Sequence, residues 1–200
     1  MLMIGGGGKG SAWKGTPLPT ALHLYVADVD AAYERAMEAG AVSLMPPTDH
    51  DYGERSAGIE DPGGNHWYVA TSSGPHYIAE GVHNLMPYFH PHGAAKMIDF
   101  LKRAFGAEEI NVYKSPDGVV HHAKIRIGDS IVEMGEAHGR WQPMPSMLML
   151  YVDDVDAWYA RAMKAEGAVS VSEPAKQPYA GRGAAVKDPF GNTWHMAAGR

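Results

Sequence analysis

Cysteine is absent from the chain, which has 200 residues. Its absence excludes disulfides, thiolate nucleophiles and cysteine metal ligands, and it is typical of a protein in the reducing cytoplasm. The chain also lacks an apolar run that approaches the ~20 residues of a membrane span, and its N-terminus lacks the charged start and apolar stretch of a signal peptide. We therefore expect a cytoplasmic protein in which imidazole, from 11 histidines, is the main candidate for acid–base or metal chemistry.

An excess of positive charge is absent as well. The formal net charge is -6 at pH 7, so there is no electrostatic reason to expect nucleic acid or an anionic membrane as a partner. With 45% hydrophobic and 20% charged residues, the composition indicates a chain that buries a core and is not disordered.

The sequence contains an internal duplication. Residues 22–37 and 148–163 are identical at 12 of 16 positions, and DPGGNHWYVA at 61–70 lines up with DPFGNTWHMA at 188–197 after a one-residue insertion at Glu166. Each copy begins with the alternation of a strand, continues with an aspartate cap and helical spacing, and reaches a turn before a short aromatic strand. The pattern predicts two units of strand, helix and strands.

A divergent unit lies between the two copies. It predicts a helix at Ala94–Phe105 that ends at Gly106, and then a hairpin that turns at Gly128–Asp129. A two-residue turn places Lys124 opposite Glu133. One face of this hairpin then carries His122, Lys124, Arg126, Ile131 and Glu133. Units of strand, helix and strands therefore occur three times.

Four motifs resemble the vicinal oxygen chelate superfamily, which includes glyoxalase I, bleomycin resistance proteins and extradiol dioxygenases, and within it the PhnB-like branch. They are FLKRAFGAE at 100–108, IGDS at 127–130, LYVDDVD at 150–156 and DPFGNTW at 188–194. The resemblance implies an α+β fold in which paired βαβββ modules form a cupped mixed sheet, the glyoxalase/bleomycin resistance fold, with an extra half-domain at the N-terminus.

The resemblance also implies a domain organisation. It predicts a flexible arm at 1–20, an orphan C-terminal half of such a domain at 21–71, a linker at 72–80 and a complete domain at 81–198. An orphan module exposes one face and one edge of its sheet. We expect it to pair either with its counterpart in a homodimer or with a module that is missing from the N-terminal side.

In metal-using relatives, the ligands come from the first and last strands of each module. Carried over to this chain, the first-strand positions are Met86 and Met147, and the last-strand positions are Glu133 and His195. Thioethers suit copper(I) better than zinc, iron or magnesium, so the resemblance implies an incomplete classical metal site. Glu133 and His195 are the candidate catalytic groups and the candidate ligands of a divalent metal such as Zn, Fe, Ni or Mn.

Two histidines are candidates for a third ligand. His122 is one if it projects into the cup, and His90 is the other, although His90 and His92 flank a proline before a helix, which favours a solvated loop. Glu133 has its own alternative, an ion pair with Lys124 that holds its carboxylate charged.

Further residues are candidates for binding a small molecule. They are Met86, Tyr88, His122, Met147, Met149, Tyr151 and Arg182. The methionines and tyrosines are equally consistent with a core, and Arg182 is either an anion clamp at the rim or a surface arginine.

Three functions stay open on the sequence. The first is a metal-free protein that binds a small molecule in its cupped sheet. The second is a metal-dependent lyase or dioxygenase of the glyoxalase type that uses Glu133 and His195. The third is an assembly role for the duplicated modules alone.

Overall fold

The computed structural model describes residues 18–177 and 181–198. Most of the arm expected at 1–20 therefore lies outside the described residues. Within the described ranges, no helix combines the length and the hydropathy that a membrane span requires.

The chain folds into three successive βαβββ modules, as the duplication and the divergent middle unit predict. The first module contains β1 (Ala21–Tyr25), α1 (Val29–Glu38), β2 (Val42–His50), β3 (Glu54–Glu60) and β4 (His66–Ser72). The second contains β5 (Leu85–Phe89), α2 (Ala94–Phe105), β6 (Glu108–Lys114), β7 (Val120–Ile127) and β8 (Ser130–Met134). The third contains β9 (Met147–Tyr151), α3 (Val155–Ala162), β10 (Val169–Lys176), β11 (Arg182–Lys187) and β12 (Thr193–Ala198).

Local sequence explains where the helices begin and end. Asp28 and Asp154 each accept a backbone N–H three residues later, at 3.0 Å, and so cap α1 and α3. Gly106 ends α2 with φ at 67°, a left-handed conformation that glycine adopts without strain. Helix α3 ends at Ala162, and the residues after it form turns up to Gly167.

The predicted hairpin between β7 and β8 is confirmed in its register. Ile127 pairs with Ser130 across the Gly128–Asp129 turn, and Lys124 lies opposite Glu133. Because side chains alternate between the two faces of a strand, this register brings Lys124 and Glu133 to the same face.

The strands form two sheets. One has eight strands in the order β2-β3-β4-β1-β5-β8-β7-β6, and the other has four in the order β10-β11-β12-β9. The eight-stranded sheet confirms the expectation of paired modules in a cupped mixed sheet. It joins the first module to the second, whereas the sequence analysis paired the second with the third and left residues 21–71 without a partner. Among the described residues, the third module is thus the one whose sheet is not shared with another module.

The second and third modules meet through a shared core instead of a shared sheet. Trp194 of β12 is fully buried, and its ring centroid lies 4.9 Å from that of Phe105 and 6.1 Å from that of Phe89. Helices α2 and α3 pack against each other beside it. These contacts explain why the motifs of the second and third modules look like one domain in sequence although their strands are in different sheets.

The DPxGN turn before the last strand of the first and third modules suggests a stability test. Asp188 is buried, and its Oδ2 accepts hydrogen bonds of 2.9 Å from both Trp194 Nε1 and Asn192 Nδ2. Asp61 makes the equivalent 2.9 Å bond with Trp67, but at a partly exposed position.

We expect Asp188→Ala to lower the free energy of unfolding by about 2 kcal/mol, because two buried donors lose their acceptor. Asp61→Ala is the matched control and should cost less, since water can reach the donors. Urea denaturation of both variants measures this, and an equal loss in both would contradict it.

Candidate functional site

The eight-stranded sheet has one face covered by helices and one that carries polar and aromatic side chains. Ala57, Ile59 and Val69 point to the helix side and pack around α1. Alternate residues on the same strands point the other way. We call this second face the cup. Its residues are His23, Glu54, Gly58, Tyr68, Tyr88, His90, His122, Lys124 and Glu133, with Trp141 from the loop that follows β8.

A buried carboxylate lies at the centre of the cup. Glu133 is 1% exposed, and its Oε2 lies 2.8 Å from His23 Nδ1 and 3.3 Å from His122 Nε2. Its Oε1 lies 3.5 Å from Lys124 Nζ. Burial raises the pKa of the Glu133 carboxyl, but hydrogen bonds from His122 and His23 and the charge of Lys124 outweigh burial and hold the pKa below its usual range. Glu133 is therefore ionised at neutral pH.

The same lysine links this carboxylate to a second one. Lys124 Nζ lies 3.8 Å from Glu54 Oε1, and the Tyr25 hydroxyl donates a hydrogen bond to that oxygen. Burial, together with the hydrogen bond to Glu54, raises the pKa of Tyr25, so its phenol stays protonated. The floor of the cup thus holds two carboxylates that share one ammonium group.

An aromatic surface lies beside the carboxylate cluster. The ring centroid of Tyr68 lies 4.5 Å from that of Tyr88 and 4.9 Å from that of Trp141. The Tyr68 hydroxyl oxygen and His90 Nε2 are 2.7 Å apart and share a hydrogen bond. Burial, with smaller contributions from His138 and His66, lowers the pKa of His90 to about 3, so this imidazole is neutral.

Trp141 reaches the cup because the strand beneath it has a glycine. A Cβ atom on Gly58 would lie 2.9 Å from Cη2 of Trp141, which is too close for any other residue unless the indole moves. Arg140 fastens the same loop to the first module by donating from Nη1 to the Leu44 carbonyl oxygen at 3.1 Å. The loop of the second module therefore closes one side of the cup over β3.

The sequence-predicted site residues are divided between the two sheets. Met86, Tyr88, His122 and Glu133 lie in the eight-stranded sheet, whereas Met147, Met149, Tyr151, Arg182 and His195 lie in the four-stranded sheet. Tyr88 and His122 face the cup with ring centroids 6.2 Å apart, and Met86 is fully buried beside Tyr25 and Ile131. The structure does not bring Glu133 and His195 together in one site.

The candidates in the third module have other surroundings. Met149 pairs with His195 between β9 and β12, and burial lowers the pKa of His195. Arg182 is held by Asp156, with its Nη2 2.6 Å from Oδ1. The equivalent residues of the first module, Arg55 and Asp30, form the same pair at 2.7 Å, so this contact belongs to the repeated fold.

Several cup residues were missed or misplaced by sequence reasoning, and His23, Glu54 and Tyr68 were missed together because all three belong to the first module. His23 aligns with Met149 in the duplication and could have been found there, but its module was treated as an orphan. The expectation of a solvated loop at His90 was wrong, because Tyr68 and Trp141 cover an imidazole that is only 5% exposed. Trp141 follows a turn-rich stretch with no periodicity, and nothing in the sequence places it over the sheet.

A cavity of about 290 Å³ lies elsewhere, between α2 and α3. Its lining includes Arg161, which donates from Nε to the Ala104 carbonyl oxygen at 3.0 Å and stacks over Trp158 at 4.6 Å. Arg126, also in the lining, lies 3.5 Å from Glu108. The arginines that line this cavity are thus engaged in contacts within the fold. The cup is therefore the better candidate site.

The neutral state of His90 gives a pH prediction. In the unfolded chain this imidazole takes up a proton below its ordinary pKa of about 6.5, whereas in the folded protein it stays neutral down to about pH 3. Stability therefore falls as the pH drops from about 6.5 to 3, and this one group should contribute a loss of about 2 kcal/mol by pH 5. His90→Phe lacks the proton uptake, so its free energy of unfolding should change less than that of the wild type between pH 7.5 and pH 5. Denaturant titrations at the two pH values measure the difference, and identical pH slopes would contradict it.

Comparison with known proteins agrees with this fold. The family model described as Glyoxalase/Bleomycin resistance protein/Dioxygenase superfamily matches residues 15–69 and 92–196. Uncharacterized proteins of Mycobacterium bovis and Mycobacterium tuberculosis are 34% identical to the chain in an alignment 128 residues long, which covers 56% of this chain and 84% and 75% of those relatives. The crystal structure of glyoxalase I from Zea mays superposes with a TM-score of 0.66 at 17% identity, over 90% of this chain and 66% of the maize chain; this likeness shows the fold alone. The chain belongs to the glyoxalase/bleomycin resistance protein/dioxygenase superfamily.

Proposed function

We propose that this protein binds a small aromatic molecule in the cup and does so without a classical metal site. The observation that carries the proposal is the buried, ionised Glu133 opposite Tyr88, whose ring continues into an aromatic surface with Tyr68 and Trp141. Aromatic rings beside a few convergent polar groups are typical of small-molecule sites.

The buried polar atoms of the cup indicate which hydrogen-bonding groups a ligand would carry. Among the described residues, Glu133 Oε1 has no hydrogen-bond partner, although it lies 3.5 Å from Lys124 Nζ. The Nδ1 atoms of His66 and His90 also have no partner within that part of the chain. Buried polar atoms are normally paired, so a ligand hydroxyl or N–H that donates to Glu133 would satisfy the strongest of these acceptors. A flat ring next to that donor would stack on Tyr68 and Tyr88. Phenols and catechols have this combination.

A divalent metal, which the family implies, does not fit the donor set of the cup. Strands β1, β4, β5 and β8 present His23, Tyr68, Tyr88 and Glu133 to the cup. Burial raises the pKa of Tyr68 and Tyr88, so both phenols are neutral and poor ligands. The ammonium of Lys124 already lies beside the carboxylate. No group of three or more His, Asp and Glu residues in the described ranges is placed to hold a metal ion.

The enzymatic alternative finds less support. A glyoxalase-type lyase or dioxygenase that uses Glu133 together with His195 needs both side chains in one site, and they belong to different sheets.

Ligand binding is tested by isothermal titration calorimetry with catechol and phenol. We expect Tyr88→Ala to weaken the binding of catechol at least tenfold, which is about 1.4 kcal/mol, because the ring that stacks on the ligand is removed. Tyr77→Ala removes a tyrosine from the exposed linker and is the matched control that should leave the affinity unchanged. Catechol binding that is equally strong in wild type and Tyr88→Ala would contradict a site in the cup.

Metal content is tested by elemental analysis after loading with Zn, Fe, Ni or Mn. We expect far less than one equivalent per chain, because Glu133 is engaged with two imidazoles and an ammonium. His195→Gln should not change this result. A stoichiometric metal that is lost in Glu133→Gln would overturn the metal-free proposal and favour the enzyme.

A further inference from the structure

A cavity lies where the second and third modules meet. It is the space of about 290 Å³ between α2 and α3, which equals about ten water molecules at roughly 30 Å³ each. Its lining comes from both helices and from the strand ends beside them, and it includes Phe105, Gly106, Glu108, Arg126, Trp158 and Arg161. None of these residues belongs to the cup. The cavity is therefore a second place with room for a small organic molecule.

Arg161 carries a charge that the fold satisfies only in part. Its Nε donates to the Ala104 carbonyl oxygen at 3.0 Å, and its Cζ lies 4.6 Å from the centroid of the Trp158 ring. Its Nη2 is buried and has no hydrogen-bond partner among the described residues. Arg55 and Arg182, in contrast, each pair with an aspartate. Arginine stays protonated in proteins, and a buried charged donor is costly when it is unpaired. An anionic ligand would therefore stabilise Arg161.

The duplication shows the same arginine in another setting. Arg161 aligns with Arg35, and Trp158 aligns with Ala32. Arg35 is exposed on α1, which packs on strands of its own module. Arg161 is only partly exposed, because α3 packs against α2. The stacked arginine and indole are thus specific to the third module, unlike the arginine–aspartate pair that both copies share.

Gly106 lets the guanidinium of Arg161 approach the end of α2. A Cβ atom on Gly106 would lie 3.0 Å from Nη1 of Arg161 and 3.6 Å from its Cζ, so any side chain there would crowd the guanidinium. The Ala104 carbonyl oxygen accepts from only one of the five N–H donors of the arginine. The donors on Nη2 therefore remain for another acceptor.

Arg126 is the second cation of the lining. Its Nε lies 3.5 Å from Glu108 Oε2, and the two side chains are 49% and 71% exposed. An exposed pair of this kind contributes little to stability, so little is lost when Arg126 turns toward a ligand. Two arginines and one glutamate leave the lining with one net positive charge, which matches a monoanion. A carboxylate suits a guanidinium, because its two oxygens accept two parallel N–H bonds.

We infer that this cavity binds a small monocarboxylate with an apolar body. Arg161 holds the carboxylate, and Arg126 adds a second positive charge. The apolar body lies against Phe105 and Trp158, whose rings are 6.4 Å apart with an interplanar angle of 22°. Benzoate combines a flat ring with one carboxylate and so has this chemistry. The site goes beyond the binding proposed for the cup and does not depend on it.

Calorimetric titration of the full chain with benzoate tests the inference. We expect wild type to bind benzoate and to bind benzamide, which has a similar shape without the charge, at least tenfold more weakly. Arg161→Gln removes the charge but keeps a donor for the Ala104 carbonyl, and it should weaken benzoate binding at least tenfold. Arg35→Gln is the matched control, since it makes the same change at the aligned, exposed arginine, and its affinity should equal that of wild type. Arg126→Gln should also bind benzoate more weakly.

Two further titrations keep this site apart from the cup. Tyr88→Ala, which should lose affinity for catechol, should bind benzoate as tightly as wild type does. Arg161→Gln should bind catechol with unchanged affinity. Failure of benzoate binding and failure of catechol binding are thus separate results.

Several results would overturn the inference. Wild type that does not bind benzoate at millimolar concentration would do so, as would equal affinities for benzoate and benzamide. Benzoate affinity that is unchanged in Arg161→Gln, or lost in Tyr88→Ala, would place the binding elsewhere. If the circular dichroism spectrum shows that Arg161→Gln does not fold, the benzamide comparison and Arg126→Gln decide, and unchanged benzoate affinity in Arg126→Gln would contradict the site.

Discussion

The fold and the candidate site both depend on one buried charge. Glu133 is 1% exposed, and a carboxylate at such a position is costly unless its oxygens are paired. Its partners come from two modules, because His23 belongs to β1 whereas His122 and Lys124 belong to β7. Without the first module the carboxylate would lose His23, its nearest partner, and would keep only His122 and Lys124. The antiparallel contact between β1 and β5 therefore joins the two modules and also brings His23 to Glu133 in the candidate site.

The sequence predicts each module well and the assembly of the modules poorly. The limits of α2, the register of the β7–β8 hairpin and the aspartate caps follow from local periodicity and turn chemistry, which act over a few residues. Which module shares a sheet with which depends on contacts between distant strands. The motifs of the second and third modules look like one domain, and their helices do share a core around Trp194. Only the strand pairing shows that the sheet partner of the second module is the first.

The same limit explains the candidate residues. Glu133 and His122 were found because the register of the β7–β8 hairpin places them on one face, whereas Tyr88 lies outside this hairpin and was a candidate for lining the cup. His23 and Trp141 were missed because the first belongs to the module thought to stand alone and the second reaches the cup from an irregular loop. His195 was placed with Glu133 only through the assumed pairing, and the strand order separates them. The duplication also allows a direct comparison between β1 and β9, which are nearly identical in sequence. The inward side chains of β1 are buried, whereas the aligned side chains of β9 are exposed.

The most direct test of this account is a double-mutant cycle between His23 and Glu133, measured as the free energy of unfolding of His23→Ala, Glu133→Gln and the double variant. Side chains in direct contact couple by about 0.5 to 3 kcal/mol, whereas distant ones add independently. With Nδ1 and Oε2 2.8 Å apart, we predict a coupling within this range for His23 and Glu133, and none in the parallel cycle of Glu133 with His195. Additive effects for His23 together with coupling for His195 would contradict the account, and would show that the second module shares its sheet with the third.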